Sequence, residues 1–141
     1  MQYTYRYFKA SWGIYIELDY EIIFNYFVDQ AYYGDEIKHI YNDVYMKIKN
    51  PSTEYEFISY IQKALIDVSE LLKNTISSPV LFEIEKITYN WCDFQKEAIY
   101  AAVVCVFLNY FKLDTALQPK IEFDPIRRKY MCYDLKNHLL T

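Results

Sequence analysis

The chain has 141 residues, of which 53% are hydrophobic, and this length accommodates one domain with a buried core but not two comfortable ones. Its 17 Tyr and 9 Phe against 2 Gly and 4 Pro disfavour a disordered or loop-rich protein and favour long helices with short connections. The formal net charge of −4 disfavours a nucleic-acid-binding protein, which normally presents a basic face.

The N-terminal third is predicted to begin with aromatic residues and continue as two helices. Residues 1–16 are dominated by Tyr, Phe and Trp, and they indicate either a strand or an aromatic arm laid over the core. Apolar side chains recur at helical spacing over residues 17–33, and Gly34 is suited to end that helix. A second helix is predicted over 35–49, ended by Asn50 before Pro51.

The middle of the chain predicts one amphipathic helix and one strand. Apolar residues trace a three-four stripe from the capping residues Ser52 or Thr53 to Asn74. After Ser77-Ser78-Pro79, residues 80–89 alternate with a period near two and are rich in β-branched and aromatic side chains, which favours a strand.

The segment 93–111 is the predicted centre of the fold. Between residues 98 and 108 every side chain except Tyr100 is plainly apolar, so a helix there has no polar face and must be buried on most sides. Asp93 is the expected N-cap. Residues 120–124 and 129–134 resemble the arms of a hairpin that turns at 125–128.

These elements predict one α+β domain over residues 1–141 that is mostly helical. We expect about four helices, with a small antiparallel sheet packed on the buried central helix at 93–111. The N-terminal half, 1–78, is predicted to be helical, and residues 79–141 to supply the strand, the central helix and the hairpin.

No residue set forms a recognisable catalytic, cofactor or metal site. Phosphate-binding glycine loops and a GxSxG elbow are absent from the sequence. The two histidines, His39 and His138, share no motif that would pair them as general acid and base. Two His with three scattered Cys at no finger-like spacing make a poor zinc site. We therefore expect no enzyme activity and no cofactor.

The sequence indicates a cytoplasmic protein that does not enter a membrane. The first residues contain no apolar signal segment, and the run at 98–108 is too short to cross a bilayer. The cysteines Cys92, Cys105 and Cys132 are odd in number and have no CxxC spacing, which indicates reduced thiols.

Negative charge is concentrated in the first half of the chain. Residues 1–70 contain 11 acidic and 6 basic side chains, which indicates either a solvated surface or a surface for a basic protein partner. Tyrosines near the acids could anchor such a partner. The predicted contacts are Glu17, Asp19, Glu21, Tyr32, Tyr33, Asp35 and Glu36.

The segment NWCDFQKE at 90–97, the apolar helix after it, and the motifs FDP at 123–125 and RKY at 128–130 carry a family resemblance. They resemble the C-terminal half of immunity proteins from bacterial contact-dependent growth inhibition and other polymorphic toxin systems. The resemblance covers roughly residues 80–135. It implies a cytosolic antidote that blocks the active site of a cognate toxin domain.

Toxins of this class are often nucleases with basic substrate grooves, which an acidic inhibitor would fit. The resemblance therefore implies a basic toxin domain as the partner, and we expect the chain to be a monomer before it binds that toxin. The alternative is a helical adaptor or structural subunit of a stable protein complex. Such an obligate apolar interface would respond little to salt, whereas an acidic inhibitor would respond strongly.

Overall fold

The computed structural model describes residues 1–8, 13–24 and 37–141, which form seven strands and two α-helices. The strands are β1 (Gln2–Phe8), β2 (Gly13–Phe24), β3 (Ile37–Tyr41), β4 (Val44–Ile48), β5 (Val80–Tyr89), β6 (Ile121–Asp124) and β7 (Lys129–Cys132). The helices are α1 (Tyr55–Leu72) and α2 (Ala98–Tyr110). Short 3-10 turns lie at Trp91–Asp93 and Thr115–Leu117.

Strands β1 to β5 form one mixed sheet, and β6 and β7 form a separate two-stranded sheet. The order in the large sheet is β1-β2-β5-β4-β3. The pairs β1–β2, β2–β5 and β3–β4 are antiparallel, whereas β4 and β5 are parallel and are connected through α1. The order places β5 at the centre, between two strand pairs from the N-terminal part of the chain.

Helix α2 is buried along nearly its whole length, as its composition requires. All residues from 98 to 108 are buried. The helix packs against β1 and β2 on one side and against α1 on another. The ring of Phe107 meets that of Phe82 on β5 edge to face, with the ring centroids 5.1 Å apart. The two helices thus cover one face of the sheet and form the core with it.

The prediction of a mostly helical fold is wrong, because the N-terminal part of the chain forms strands. Residues 17–24 belong to β2, in which Ile14, Ile16, Leu18, Tyr20 and Ile22 face the helices and are buried. These apolar residues alternate strictly, and that period of two outweighs the sparser helical spacing. Residues 25–33 of the predicted first helix lie outside the described residues.

The second predicted helix, over 35–49, is wrong for the same reason. Val44, Met46 and Ile48 face the helices on β4, and they alternate with Tyr45 and Lys47. Asn42 adopts a positive φ of 51° in the turn between β3 and β4. Asparagine tolerates this conformation better than most residues, so the Asn42-Asp43 pair favours a hairpin turn over a continuous helix. Residues 35 and 36 lie outside the described part.

The other predicted elements are confirmed, β5 with the predicted bounds and the rest with shifted ends. Helix α1, strand β5 and the β6–β7 hairpin occur where their patterns predict them. Of the two alternatives for the first residues, a strand or an aromatic arm, the structure shows the strand β1. The prediction that Asp93 caps the central helix is wrong, since α2 begins at Ala98. Asp93 instead lies in a 3-10 turn, where the Asn90 side chain accepts a hydrogen bond from the Cys92 backbone N–H.

We predict that Phe107→Ala lowers the free energy of unfolding by about 3–5 kcal/mol, because truncating a fully buried ring leaves a cavity between α2 and β5. Tyr55→Ala is the control. Tyr55 is 82% exposed at the start of α1, so its loss should cost less than about 0.5 kcal/mol. Urea unfolding measures both changes, and effects of equal size would contradict the placement of α2 in the core.

Candidate functional site

Three of the predicted contact residues form a row on β2. Glu17, Asp19 and Glu21 occupy alternate positions, so their side chains share the face of the sheet that is turned away from the helices. Successive members of this acidic row are about 7 Å apart along the strand. The other four predicted contacts, Tyr32, Tyr33, Asp35 and Glu36, lie outside the described residues.

Hydrogen bonds from neighbouring residues hold the acidic row in place. The hydroxyl of Tyr15 donates to Glu17, and the amide of Gln2 donates to Asp19 over 3.1 Å. The ammonium of Met1 lies 3.0 Å from the Glu21 carboxylate. Within the described part of the chain, neither Glu17 nor Asp19 makes an ion pair. The row therefore keeps negative charge in an ordered arrangement.

The surroundings of the row carry both signs of charge. We define the outer face as the residues that β1, β2 and the second half of β5 turn away from the helices: Gln2, Thr4, Arg6, Phe8, Tyr15, Glu17, Asp19, Glu21, Ile23, Lys86 and Thr88. Lys86 is the cross-strand neighbour of Asp19, and the Arg6 guanidinium lies over the Tyr15 ring at 5.1 Å from its centroid. The outer face is thus acidic along one stripe rather than throughout.

A second concentration of polar groups lies where α1, α2 and the C-terminal residues meet. Lys63 on α1 lies 3.0 Å from the Asp67 carboxylate and 3.6 Å from that of Asp134. The buried Tyr100 hydroxyl donates to Asp67 over 2.6 Å and accepts a hydrogen bond from the Leu135 backbone N–H over 2.9 Å. Burial and the hydrogen bond to Asp67 raise the pKa of Tyr100 well above its ordinary range.

Asp134 organises the C-terminal turn from within this cluster. Its carboxylate accepts the backbone N–H groups of Lys136 over 2.8 Å and of His138 over 2.9 Å. Burial by itself would raise the pKa of Asp134, but these two N–H donors and the charge of Lys63 hold it below its ordinary value of 3.8. The carboxylate is therefore stabilised in its charged form.

A cavity of about 600 Å3 adjoins the cluster, lined among others by Ser59, Tyr60, Lys96 and Leu140. The charged groups at its edge are already paired: Lys63 with both aspartates, and Lys96 with Glu56. The Tyr60 hydroxyl donates to the Thr141 carbonyl over 2.8 Å. We therefore assign the cluster to fastening the C-terminal residues onto the helices rather than to chemistry.

Sequence reasoning missed this cluster, although two signals for it were present. Asp67 interrupts the apolar stripe of α1, and Tyr100 is the one residue with a polar tip in the apolar run of α2. A polar group at a core position requires a partner. The two positions lie 33 residues apart in the chain, so only their packing shows that they are partners.

The histidines and cysteines form no shared site in the described structure. His39 lies on β3 with its Nε2 atom 2.6 Å from the Asn42 carbonyl, whereas His138 is near the C-terminus with Nδ1 3.4 Å from Asp134. All three cysteines are free, and burial raises the pKa of Cys105 to about 11 and of Cys132 to about 12. No group of His, Cys, Asp and Glu among the described residues could hold a metal ion.

One observation bears on membranes. Across residues 1–8, 13–24 and 37–141, neither helix combines the length and the apolar character needed to span a bilayer. Helix α2 has the apolar character but only 13 residues, and α1 is amphipathic.

We predict that Asp134→Asn destabilises the fold by about 1–3 kcal/mol near neutral pH, since the amide loses the charge that attracts Lys63 and the two N–H donors. A carboxylate whose pKa is lowered by folding stabilises the protein above its unfolded-state pKa, and this stabilisation is lost as pH falls through the folded-state value. The difference between wild type and variant should therefore shrink over the acid range, as pH falls below the ordinary value of 3.8. Urea unfolding across this range would contradict the assignment if the difference stayed constant.

Comparison with known proteins identified no relative of this chain. No protein-family model, no curated protein sequence and no solved structure matches the chain. The geometry and charge of the outer face and the motifs at 90–97, 123–125 and 128–130 are therefore the features that bear on function.

Proposed function

We propose that this protein is an immunity protein that binds a cognate toxin domain, a nuclease, and blocks its active site. The acidic row on the outer face is the observation that carries the proposal. Three carboxylates lie in line on a rigid strand, and they would face a basic substrate groove. The resemblance of residues 90–97, 123–125 and 128–130 to immunity proteins supports the class of partner.

The outer face suits recognition because it is ordered before the partner arrives. Glu17, Asp19 and Glu21 are held by Tyr15, Gln2 and the Met1 ammonium. Little side-chain freedom is then lost on binding, which lowers the entropic cost of the complex. Fixed charges of one sign also steer a partner of the other sign and accelerate its association. Both effects favour a fast and tight inhibitor.

The residues that carry the resemblance belong to the scaffold in this proposal. The Gln95 side chain accepts the Tyr130 backbone N–H over 2.8 Å and donates to the Tyr130 carbonyl, so it pairs with β7 in the manner of another strand. Lys96 forms an ion pair with Glu56 on α1. These contacts fasten the start of α2 to the hairpin and to α1. We assign recognition to the outer face instead.

The partner can be identified by affinity capture of the tagged protein from its native host, followed by mass spectrometry of what elutes in stoichiometric amount. We expect the C-terminal domain of a large exported protein. That domain should kill cells when expressed alone, and co-expression of this chain should restore growth. Elution of a housekeeping complex instead would favour the adaptor function and overturn the proposal.

We predict that removing the charges of the acidic row, by Glu17→Gln, Asp19→Asn and Glu21→Gln together, slows association with the toxin domain roughly 10-fold or more at low salt. The variant should also respond less to added salt, because screening acts on those charges. Stopped-flow or surface-based kinetics at low and high salt measure both effects.

The matched control removes three acids from the β3–β4 turn, the N-terminal cap of α1 and the end of α1, by Asp43→Asn, Glu54→Gln and Glu70→Gln. These residues are exposed, and the helix lies on the opposite face of the sheet. The control has the same net charge as the first variant, so it should associate at nearly the rate of the unmodified protein. Equal slowing by both variants would mean that only net charge matters, and no slowing by either would exclude the outer face.

A further inference from the structure

A cavity of about 260 Å3 lies where three distant parts of the chain meet. Its walls come from Ile14 at the start of β2, from residues 92–97 before α2, and from the β6–β7 hairpin. The Gln95 side chain joins two of these parts through its hydrogen bonds with the Tyr130 backbone. Pockets for drug-sized ligands have about 300–1,000 Å3, so this cavity suits a smaller molecule.

Three charged side chains line this cavity, and no ion pair links them. Glu97 lies at the start of α2, and Arg128 and Lys129 lie on the hairpin. Over residues 1–8, 13–24 and 37–141, none of the three forms an ion pair, whereas the adjacent Arg127 pairs with Asp124. The cavity therefore brings together one carboxylate and two cations whose charges are not paired within the described structure.

The place of Glu97 at the start of α2 does not account for its carboxylate. A side chain at this N-cap position often accepts a hydrogen bond from the first helical N–H groups, but that of Glu97 accepts none. Its Oε2 atom is the one buried side-chain nitrogen or oxygen without a hydrogen-bond partner among the described residues. Buried polar atoms normally have a partner. Since the glutamate carboxyl group rotates easily about its last bond, a donor in the cavity can meet it.

Apolar side chains form much of the remaining wall. Phe94 stacks on Tyr89 with the ring centroids 4.0 Å apart, and the Phe123 ring centroid lies 5.2 Å from that of Tyr130. Ile14 is fully buried in β2. These contacts fix the wall before a ligand enters. A short hydrocarbon chain is favoured in the cavity, because it leaves water for apolar surroundings.

We propose that this cavity binds a small zwitterion whose ammonium group meets Glu97 and whose carboxylate meets Arg128 and Lys129, with a short apolar chain between the two charges. A ligand with a single charge would leave the opposite group of the cavity without a partner. A metal ion does not fit, because no group of His, Cys, Asp and Glu in the described parts of the chain could hold one. The proposal rests on this cavity and does not depend on the outer face or on the proposed function.

Cys92 reports whether the cavity is occupied. Its thiol is exposed and lines the cavity, whereas Cys105 and Cys132 are buried. Alkylation by iodoacetamide near neutral pH should therefore modify Cys92 first, and a molecule bound in the cavity should slow that reaction. Mass spectrometry of the alkylated protein over time measures the rate at Cys92.

The probe is ε-aminocaproate, which carries an ammonium group and a carboxylate at the two ends of an apolar chain. Hexylamine and caproate are the matched controls, since each has a similar chain but only one of the two charges. We expect ε-aminocaproate to halve the alkylation rate at a concentration roughly tenfold or more below that of either control, because it alone pairs with both walls. Equal effects of all three compounds, or no effect of the probe, would overturn the proposal.

Two variants assign the two ends of the probe. Glu97→Gln should remove the advantage of ε-aminocaproate over caproate, and Arg128→Gln with Lys129→Gln should remove its advantage over hexylamine. The control for the second variant is Lys112→Gln with Lys136→Gln, which has the same net charge and changes exposed residues outside the cavity. The control should keep both advantages, and an equal loss in the control would contradict the assignment. The three compounds act on the unmodified chain, so they decide the outcome even if a variant fails to fold.

Discussion

The burial of α2 is the constraint on which the rest of this structure depends. A helix without a polar face cannot meet water along any side, so neighbouring elements must surround it. Here the sheet covers one side through β1 and β2, and α1 covers another. The Phe107–Phe82 contact joins the helix to the central strand. Because both helices lie on one face of the sheet, neither helix covers the residues of the opposite face on β1 and β2.

The same constraint explains why the polar cluster exists. Tyr100 brings a hydroxyl into an apolar helix, and an unpaired hydroxyl there would cost free energy. Asp67 and the Leu135 backbone N–H satisfy it, and Lys63 and Asp134 then balance the charge. One polar atom on α2 is thus linked to the position of the C-terminal residues. Removing one member would leave its neighbours in the cluster with fewer partners.

The sequence predicts those elements in which the apolar residues follow one clear spacing, either that of a helix or that of a strand. Helix α1 keeps a three-four stripe along its length despite Asp67, and β5 alternates with β-branched residues, so the sequence predicts both elements correctly. Residues 14–24 combine a period of two with a sparser helical spacing, and pairing with β5, far later in the chain, favours the strand. The acidic row shows the same limit. On a helix, Glu17 and Asp19 would point about 200° apart, whereas the strand aligns them.

The position of β5 within the sheet has a consequence for synthesis of the chain. Strand β2 pairs with β5 on one side and β4 pairs with it on the other, yet β5 is the last of the five strands to be made. Until residue 89 has left the ribosome, the earlier strand pairs have no common sheet and α1 has no complete surface to cover. Contacts between distant residues also slow folding. The tyrosine-rich strands β1 to β4 therefore stay without their central partner strand until β5 has been synthesised.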